Sequence, residues 1–197
     1  VQLPKTKSKC LEVIALKRFF LIRHCKAEGQ EANAKLTIEG NEQAIKLADF
    51  LHEKQIDYII SSSYVRAVSS IQPLAEKNKL KINIEERLCE RVLSSENIEN
   101  WMDRLSETYE NLDLRLFGGE SSREAMERGY SVINELSERI ESSVAIVTHG
   151  NLMSLIIKCF DNEFGFEEWK KLSNPDVYEL KILNSKKEHY SLSRIWK

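Results

Sequence analysis

The chain has 197 residues, 42% hydrophobic and 30% charged, a mix that can offset chain entropy over one domain and rules out intrinsic disorder. Its net charge of −2 and pI of about 6.2 exclude a nucleic-acid binder that works through a broad basic face. No run approaches the ~18 consecutive apolar residues of a membrane span.

The first eighteen residues are locally basic, with Lys5, Lys7, Lys9, Lys17 and Arg18 against Glu12. Leu11–Leu16 is too short, and too interrupted by Glu12, to serve as the apolar core of a signal peptide. Residues 1–15 are therefore set apart as an N-terminal extension, either a basic tail or residues added by cloning. Lys17–Arg23 (KRFFLIR) is a short apolar run with aromatics and predicts a buried strand. Thr37 opens a helix whose apolar positions Ala44, Ile45, Leu47, Ala48 and Leu51 recur at helical spacing. Asp57–Ser61 predicts a second buried strand. The helix expected over Tyr64–Asn78 contains Pro73, which is expected to kink or shorten it.

Lys81–Ile84 predicts a third strand and Glu96–Tyr109 a polar helix. Gly118–Ser122 is a loop, with Ser121 or Ser122 placed to cap a long helix running to about Glu141. Val144–Thr148 predicts a fourth strand, ended by His149-Gly150, and a helix follows from about Leu152. Val177–Leu183 and Tyr190–Ile195 are strand-like, and a turn over Asn184–Glu188 would join them as a hairpin. Strands alternating with helices predict an α/β fold, a three-layer sandwich with a mostly parallel central sheet and an antiparallel strand at one edge. Residues 16–197 then form a single domain.

In such sheets ligands bind beyond the carboxyl ends of the strands. Of the four histidines, His24 directly follows the first strand and His149 the fourth. His52 and His189 read as ordinary polar residues. Arg23 adjoins His24, and Arg66 follows the second strand. Arginine suits phosphate because its planar fork donates two parallel charge-assisted hydrogen bonds. A neutral imidazole can attack phosphorus, and helix N-termini after strand ends add N–H donors for anions. The four cysteines, Cys10, Cys25, Cys89 and Cys159, form no C-x-x-C pair and no zinc spacing. Reduced thiols in a cytosol, and hence a cytoplasmic protein, are the expectation.

With these residues in place, the sequence resembles the histidine phosphatase superfamily, also called the phosphoglycerate-mutase-like family. The resemblance rests on an ordered set: Leu21-Ile22-Arg23-His24, Ser61-Ser62-Ser63-Tyr64-Val65-Arg66-Ala67, Arg87-Leu88-Cys89-Glu90, Gly119-Glu120-Ser121 and Val147-Thr148-His149-Gly150. It implies that His24 is the nucleophile that becomes phosphohistidine. Arg23, Arg66 and His149 would hold the phosphoryl oxygens, with Gly150 beside them. Glu90 would be the general acid and then the base that activates water. Gln30, where the family usually has Asn, would donate an amide hydrogen bond to phosphate. The substrate would be a small-molecule phosphate ester, with no cofactor and no metal required.

Cys25 and Lys26 depart from the family's usual Gly and acidic residue. Lys26 either adds positive charge to the site or points into water. Glu90 lies in a charged run that, on composition alone, would be a solvated face. Glu120 and Ser121 either line the pocket or cap the following helix. His24-Cys25 superficially resembles a cysteine phosphatase, but the position that should hold Arg is Glu31, whose charge would repel phosphate. Residues 91–119 read as a modest cap insertion, with Trp101 in the core. A compact cap favours a phosphatase over a phosphoglycerate-mutase-type phosphotransferase, which must exclude water. A non-catalytic phosphate-binding or interaction module is the remaining alternative. Substrate identity and oligomeric state are not readable from the sequence.

Overall fold

The computed structural model describes residues 16–183 and 189–196. The N-terminal extension and the Asn184–Glu188 turn therefore lie outside the described residues. Among those described, six strands form one sheet in the order β3-β2-β4-β1-β5-β6. These are β1 (Lys17–Arg23), β2 (Tyr58–Ser61), β3 (Ile82–Ile84), β4 (Ser143–Thr148), β5 (Asp176–Ile182) and β6 (Tyr190–Arg194). The first four are parallel along β3-β2-β4-β1. β5 lies antiparallel against β1, and β6 antiparallel against β5.

Strand pleating explains the two cores. Successive side chains point to opposite faces, so KRFFLIR sends Phe19 and Leu21 into one apolar layer and Phe20 and Ile22 into the other. β4 repeats the division with Val144 and Ile146 against Ala145 and Val147. One face is covered by α1 (Ile38–His52) and α2 (Val65–Asn78), the other chiefly by α4 (Ser122–Ser137) and α5 (Gly150–Lys158). Helices on both faces of a largely parallel sheet make the three-layer α/β sandwich.

Local chemistry sets the helix ends. Thr37 caps α1 by accepting from the Gly40 N–H, and Ser121 caps α4 in a capping box with Glu124, which satisfies N–H groups that the first turn leaves free. α2 runs unbroken through Pro73, at the loss of one backbone hydrogen bond.

Several expectations need correction. Ile45 is 58% exposed, because α1 buries the stripe Gly40, Ala44, Leu47, Ala48 and Leu51 and Ile45 falls outside it. α4 stops at Ser137, where Ser137 Oγ bonds the Asn134 carbonyl and leaves Ile140 exposed. The polar helix expected from Glu96 begins only at Trp101, as α3 (Trp101–Glu110). A short helix α6 (Phe166–Lys170) was not anticipated. No helix among the described residues is long and apolar enough to cross a membrane.

Candidate active site

Pairing of β1 with β4 sets Arg23 opposite Thr148, and the His24 N–H continues the ladder to the Thr148 carbonyl at 3.1 Å. The residues that follow these two strands, His24 and His149, are therefore neighbours, with ring centroids 5.1 Å apart. β2 lies on the far side of β4, and the Ser62 N–H reaches the Val147 carbonyl at 3.0 Å. Three strand ends thus bring His24, His149 and the Ser62–Arg66 segment together.

His24 is 7% exposed and Arg66 only 1%. Nδ1 of His24 lies 2.7 Å from the Cys25 carbonyl. A carbonyl only accepts, so this bond requires the proton on Nδ1. The Arg66 Nε–H donates to His24 Nε2 at 3.1 Å, which requires a lone pair there. Both bonds select the same neutral tautomer. Burial, and less strongly the cations Arg66 and Arg23, push the His24 imidazole down to about 4, although the Cys25 carbonyl works against them. The ring is therefore neutral at pH 7 and holds a lone pair on Nε2.

Arg66 is fixed from its other end, where Nη1 donates to the carbonyls of Gln30 at 3.0 Å and Glu31 at 2.8 Å. Its guanidinium also stacks on Tyr64, 4.8 Å from the ring centroid. Arg23 Nη1 donates to the Leu172 and Ser173 carbonyls at 3.0 and 3.4 Å. The same loop holds the backbone of His24, because Asn174 Nδ2 donates to the His24 carbonyl at 2.8 Å. Asp176 anchors the loop. It is fully buried, accepts two bonds from Arg194 at 2.9 and 2.7 Å, and accepts the Ser173 N–H at 2.9 Å.

His149 is fully buried. Its Nε2 pairs with Ser62 Oγ at 2.8 Å. Burial and the nearby His24 and Arg66 push its ring far down, to about 2. Gly150 opens α5 against Arg23, where a Cβ would lie 3.0 Å from the guanidinium carbon, tighter than ordinary van der Waals contact. Glu90 receives the free N–H groups at the start of α5. Its Oε2 accepts from Asn151 at 3.1 Å and its Oε1 from Leu152 at 3.0 Å. The carboxylate thus leaves the charged run and turns inward, where its charge acts on both Arg23 and Arg66.

Arg23, Gln30, Glu90 and Gly150 line one cleft of about 460 Å³, while the neighbouring His24, Arg66 and His149 are buried. Asn151, Arg91, Leu93 and Leu105 continue the lining, together with Trp101 and Trp169. Three buried side-chain nitrogens lack a hydrogen-bond partner among the described residues: Arg23 Nε, His149 Nδ1 and Arg91 Nη2. Such orphans are rare in folded proteins and mark places where a bound polar group can complete the bonding.

Other sequence readings resolve here. Cys25 is fully buried in the α1/α2 layer, and burial pushes its thiol up to about 11, so it offers no thiolate. Lys26 points away to pair with Glu39 at 2.5 Å on the surface. Ser121 is a helix cap, and Glu120 pairs with Arg128. Trp101 is not core: it is 48% exposed at the cleft, because Leu105 and Tyr109 supply the buried face of α3. Sequence reasoning missed the roles of Ser62, Tyr64, Arg91, Trp169 and Asn174. Of these, Ser62 and Tyr64 were signalled by the segment leading to Arg66. Among the described residues no cluster of three or more His, Cys, Asp or Glu could hold a metal ion.

A search of curated proteins returns no significant match. Solved structures share the fold at low identity. A mycobacterial glucosyl-3-phosphoglycerate phosphatase in complex with inorganic phosphate superposes with a TM-score of 0.73 at 22% identity, covering 91% of this chain and 96% of that one. YhfR of Bacillus stearothermophilus gives 0.74 at 17%, covering 90% and 96%. A phosphoglycerate mutase from Bacillus anthracis gives 0.70 at 18%, covering 92% and 93%. At the sequence level, the family model for the histidine phosphatase superfamily, branch 1, matches residues 19–196, and the chain belongs to that superfamily.

Proposed function

We propose that the protein is a phosphatase that hydrolyses a small-molecule phosphate monoester through a phosphohistidine on His24. The observation that carries this reading is the state of the His24 ring. Its Nδ1–H is committed to the Cys25 carbonyl, and its pKa is lowered to about 4. A neutral nucleophile beside two guanidinium groups is what attack on a phosphate dianion needs, since the cations offset charge that would otherwise repel the attacking lone pair.

In the first half-reaction Nε2 attacks phosphorus, the bond from phosphorus to the ester oxygen breaks, and the Glu90 carboxyl gives its proton to the departing alcohol. In the second, water attacks the phosphohistidine, Glu90 takes the water's proton, and the P–N bond breaks to release phosphate and His24. Arg23, Arg66 and His149 hold the phosphoryl oxygens, with Arg23 Nε and His149 Nδ1 among the groups they complete. Arg66 Nε must turn from His24 Nε2 to a phosphoryl oxygen before attack. Gln30 and the α5 N-terminus at Gly150 contribute further donors. Imidazole, guanidinium and carboxylate fill every role without a cofactor. Residues 91–119 act as a cap over the cleft.

Rapid-quench trapping with a labelled ester tests the reading. The expected product is an acid-labile, base-stable phosphoryl adduct on His24 that accumulates in Glu90→Gln. Equal hydrolysis by wild type and His24→Ala refutes it, and equal background rates would favour a non-catalytic module. Bisphosphoglycerate-primed isomerisation without ester hydrolysis would make the protein a mutase.

A further inference from the structure

The cleft is larger than a phosphoryl group needs, and its chemistry changes along its wall. Arg23, Gln30 and Glu90 give it a charged part, while Trp101, Trp169 and Leu105 give it an apolar one. The two indoles come from separate segments, at the first turn of α3 and near the end of α6. Their ring centroids are 6.3 Å apart and their planes meet at 89°. The two perpendicular rings meet edge to face and form an apolar corner. Trp169 is supported from behind by Phe166, stacked 5.5 Å away at 19°, and Phe166 in turn lies against Tyr109 of the core. Trp101 keeps 48% of its surface exposed. A large aromatic group left open on a backed wall inside a cleft is a site for apolar contact rather than a gap in packing.

We propose that this corner is a leaving-group subsite, and that the protein selects phosphate monoesters whose alcohol carries a ring or other flat apolar face. This rests on the phosphatase reading, since it assigns the charged part of the cleft to the phosphoryl group. Glu90, the proposed proton donor to the departing alcohol, lines the same cleft as the two indoles. The aromatic corner stabilises ground state and transition state alike, so its removal acts mainly on KM.

The test compares 2-phenylethyl phosphate with ethyl phosphate. Both release simple alcohols of similar acidity, so the ratio of their kcat/KM values reads the ring rather than leaving-group chemistry. Wild type is expected to favour the phenylethyl ester by about tenfold or more, in the range that one hydrophobic contact supplies. Trp101→Ala should lower that ratio about tenfold, through the KM of the phenylethyl ester. Trp101→Phe, which keeps a ring, should restore most of it, and Trp169→Ala should mirror Trp101→Ala. Tryptophan fluorescence quenching by 2-phenylethyl phosphonate, which cannot be hydrolysed at its P–C bond, gives a readout that does not depend on turnover. Quenching present in wild type and lost in Trp101→Ala supports the subsite even if no ester is hydrolysed, in which case the phosphatase reading alone fails. Hydrolysis of both esters with an unchanged ratio in Trp101→Ala and Trp169→Ala overturns the subsite and leaves the phosphatase reading standing.

Discussion

Replacing Gly150 by alanine should separate activity from stability, because the three heavy atoms nearest the added methyl all belong to the Arg23 side chain. Its carbon would lie 3.0 Å from both Cζ and Nε of Arg23 and 3.2 Å from Nη2. Ordinary carbon contacts begin near 3.5 Å, so the guanidinium must retreat by about 0.5 Å. It cannot swing freely, since Nη1 is tied to the Leu172 carbonyl at 3.0 Å. Misplacing a catalytic group by about 1 Å costs roughly 100-fold, so half that displacement predicts a loss of about tenfold in kcat/KM. Stability should hardly change. Gly150 is the first residue of α5, where exchange for alanine contributes up to about 1 kcal/mol, and strain on the Arg23 rotamer takes back about 0.5–1.5 kcal/mol. The Tm should move by no more than about 4 °C. Steady-state kinetics on phenyl phosphate and a calorimetric scan measure both quantities. Activity within twofold of wild type would show that Arg23 does not need its observed position. A Tm loss above ~10 °C would show that the substitution disrupts α5 rather than Arg23.

Three further outcomes follow from the same geometry. The His24 ring should stay neutral down to about pH 4. Its folded pKa lies below the unfolded value near 6.5, so the unfolded chain binds the extra proton first, and this contribution to stability is lost as pH falls from about 6.5 to 4; an NMR titration midpoint near 6.5 would contradict this. Cys25→Ala should keep turnover within about threefold while lowering stability by roughly 1 kcal/mol, and native Cys25 should resist iodoacetamide because its thiol is buried and pushed up to about 11; complete loss of turnover in a folded Cys25→Ala protein would revive a thiolate mechanism. Asp176→Asn should cost about 2 kcal/mol in denaturant unfolding, because the fully buried carboxylate loses its two charge-assisted bonds from the partly exposed Arg194; a cost below ~1 kcal/mol would mean that the loop holding Arg23 does not depend on this pair.

The strands and the residues at their ends were legible because those signals are local. KRFFLIR and VAIVT declare buried strands by composition, and a residue that directly follows a parallel strand must lie at the binding edge. His24 and His149 could thus be placed before their partnership was known, and the ordered motifs added Arg66 and Glu90. Ile45 misled because a single apolar residue beside a helical stripe looks the same as one within it. Trp101 misled for a related reason: a tryptophan on an amphipathic helix reads as core until Leu105 and Tyr109 are seen to fill that role.

What the sequence determined by itself was which segments become buried strands and which reactive side chains stand at their carboxyl ends, since both follow from a few consecutive residues. Only the tertiary structure decided which proton state His24 adopts, what holds Arg23 in place, and that indoles 68 positions apart share a wall. Those features depend on contacts between distant segments: the Cys25 carbonyl and Arg66 on one ring, the Asn174 loop on one strand end, α3 against α6. Chain-neighbour chemistry cannot encode such contacts, because they exist only once the sheet order has brought the segments together.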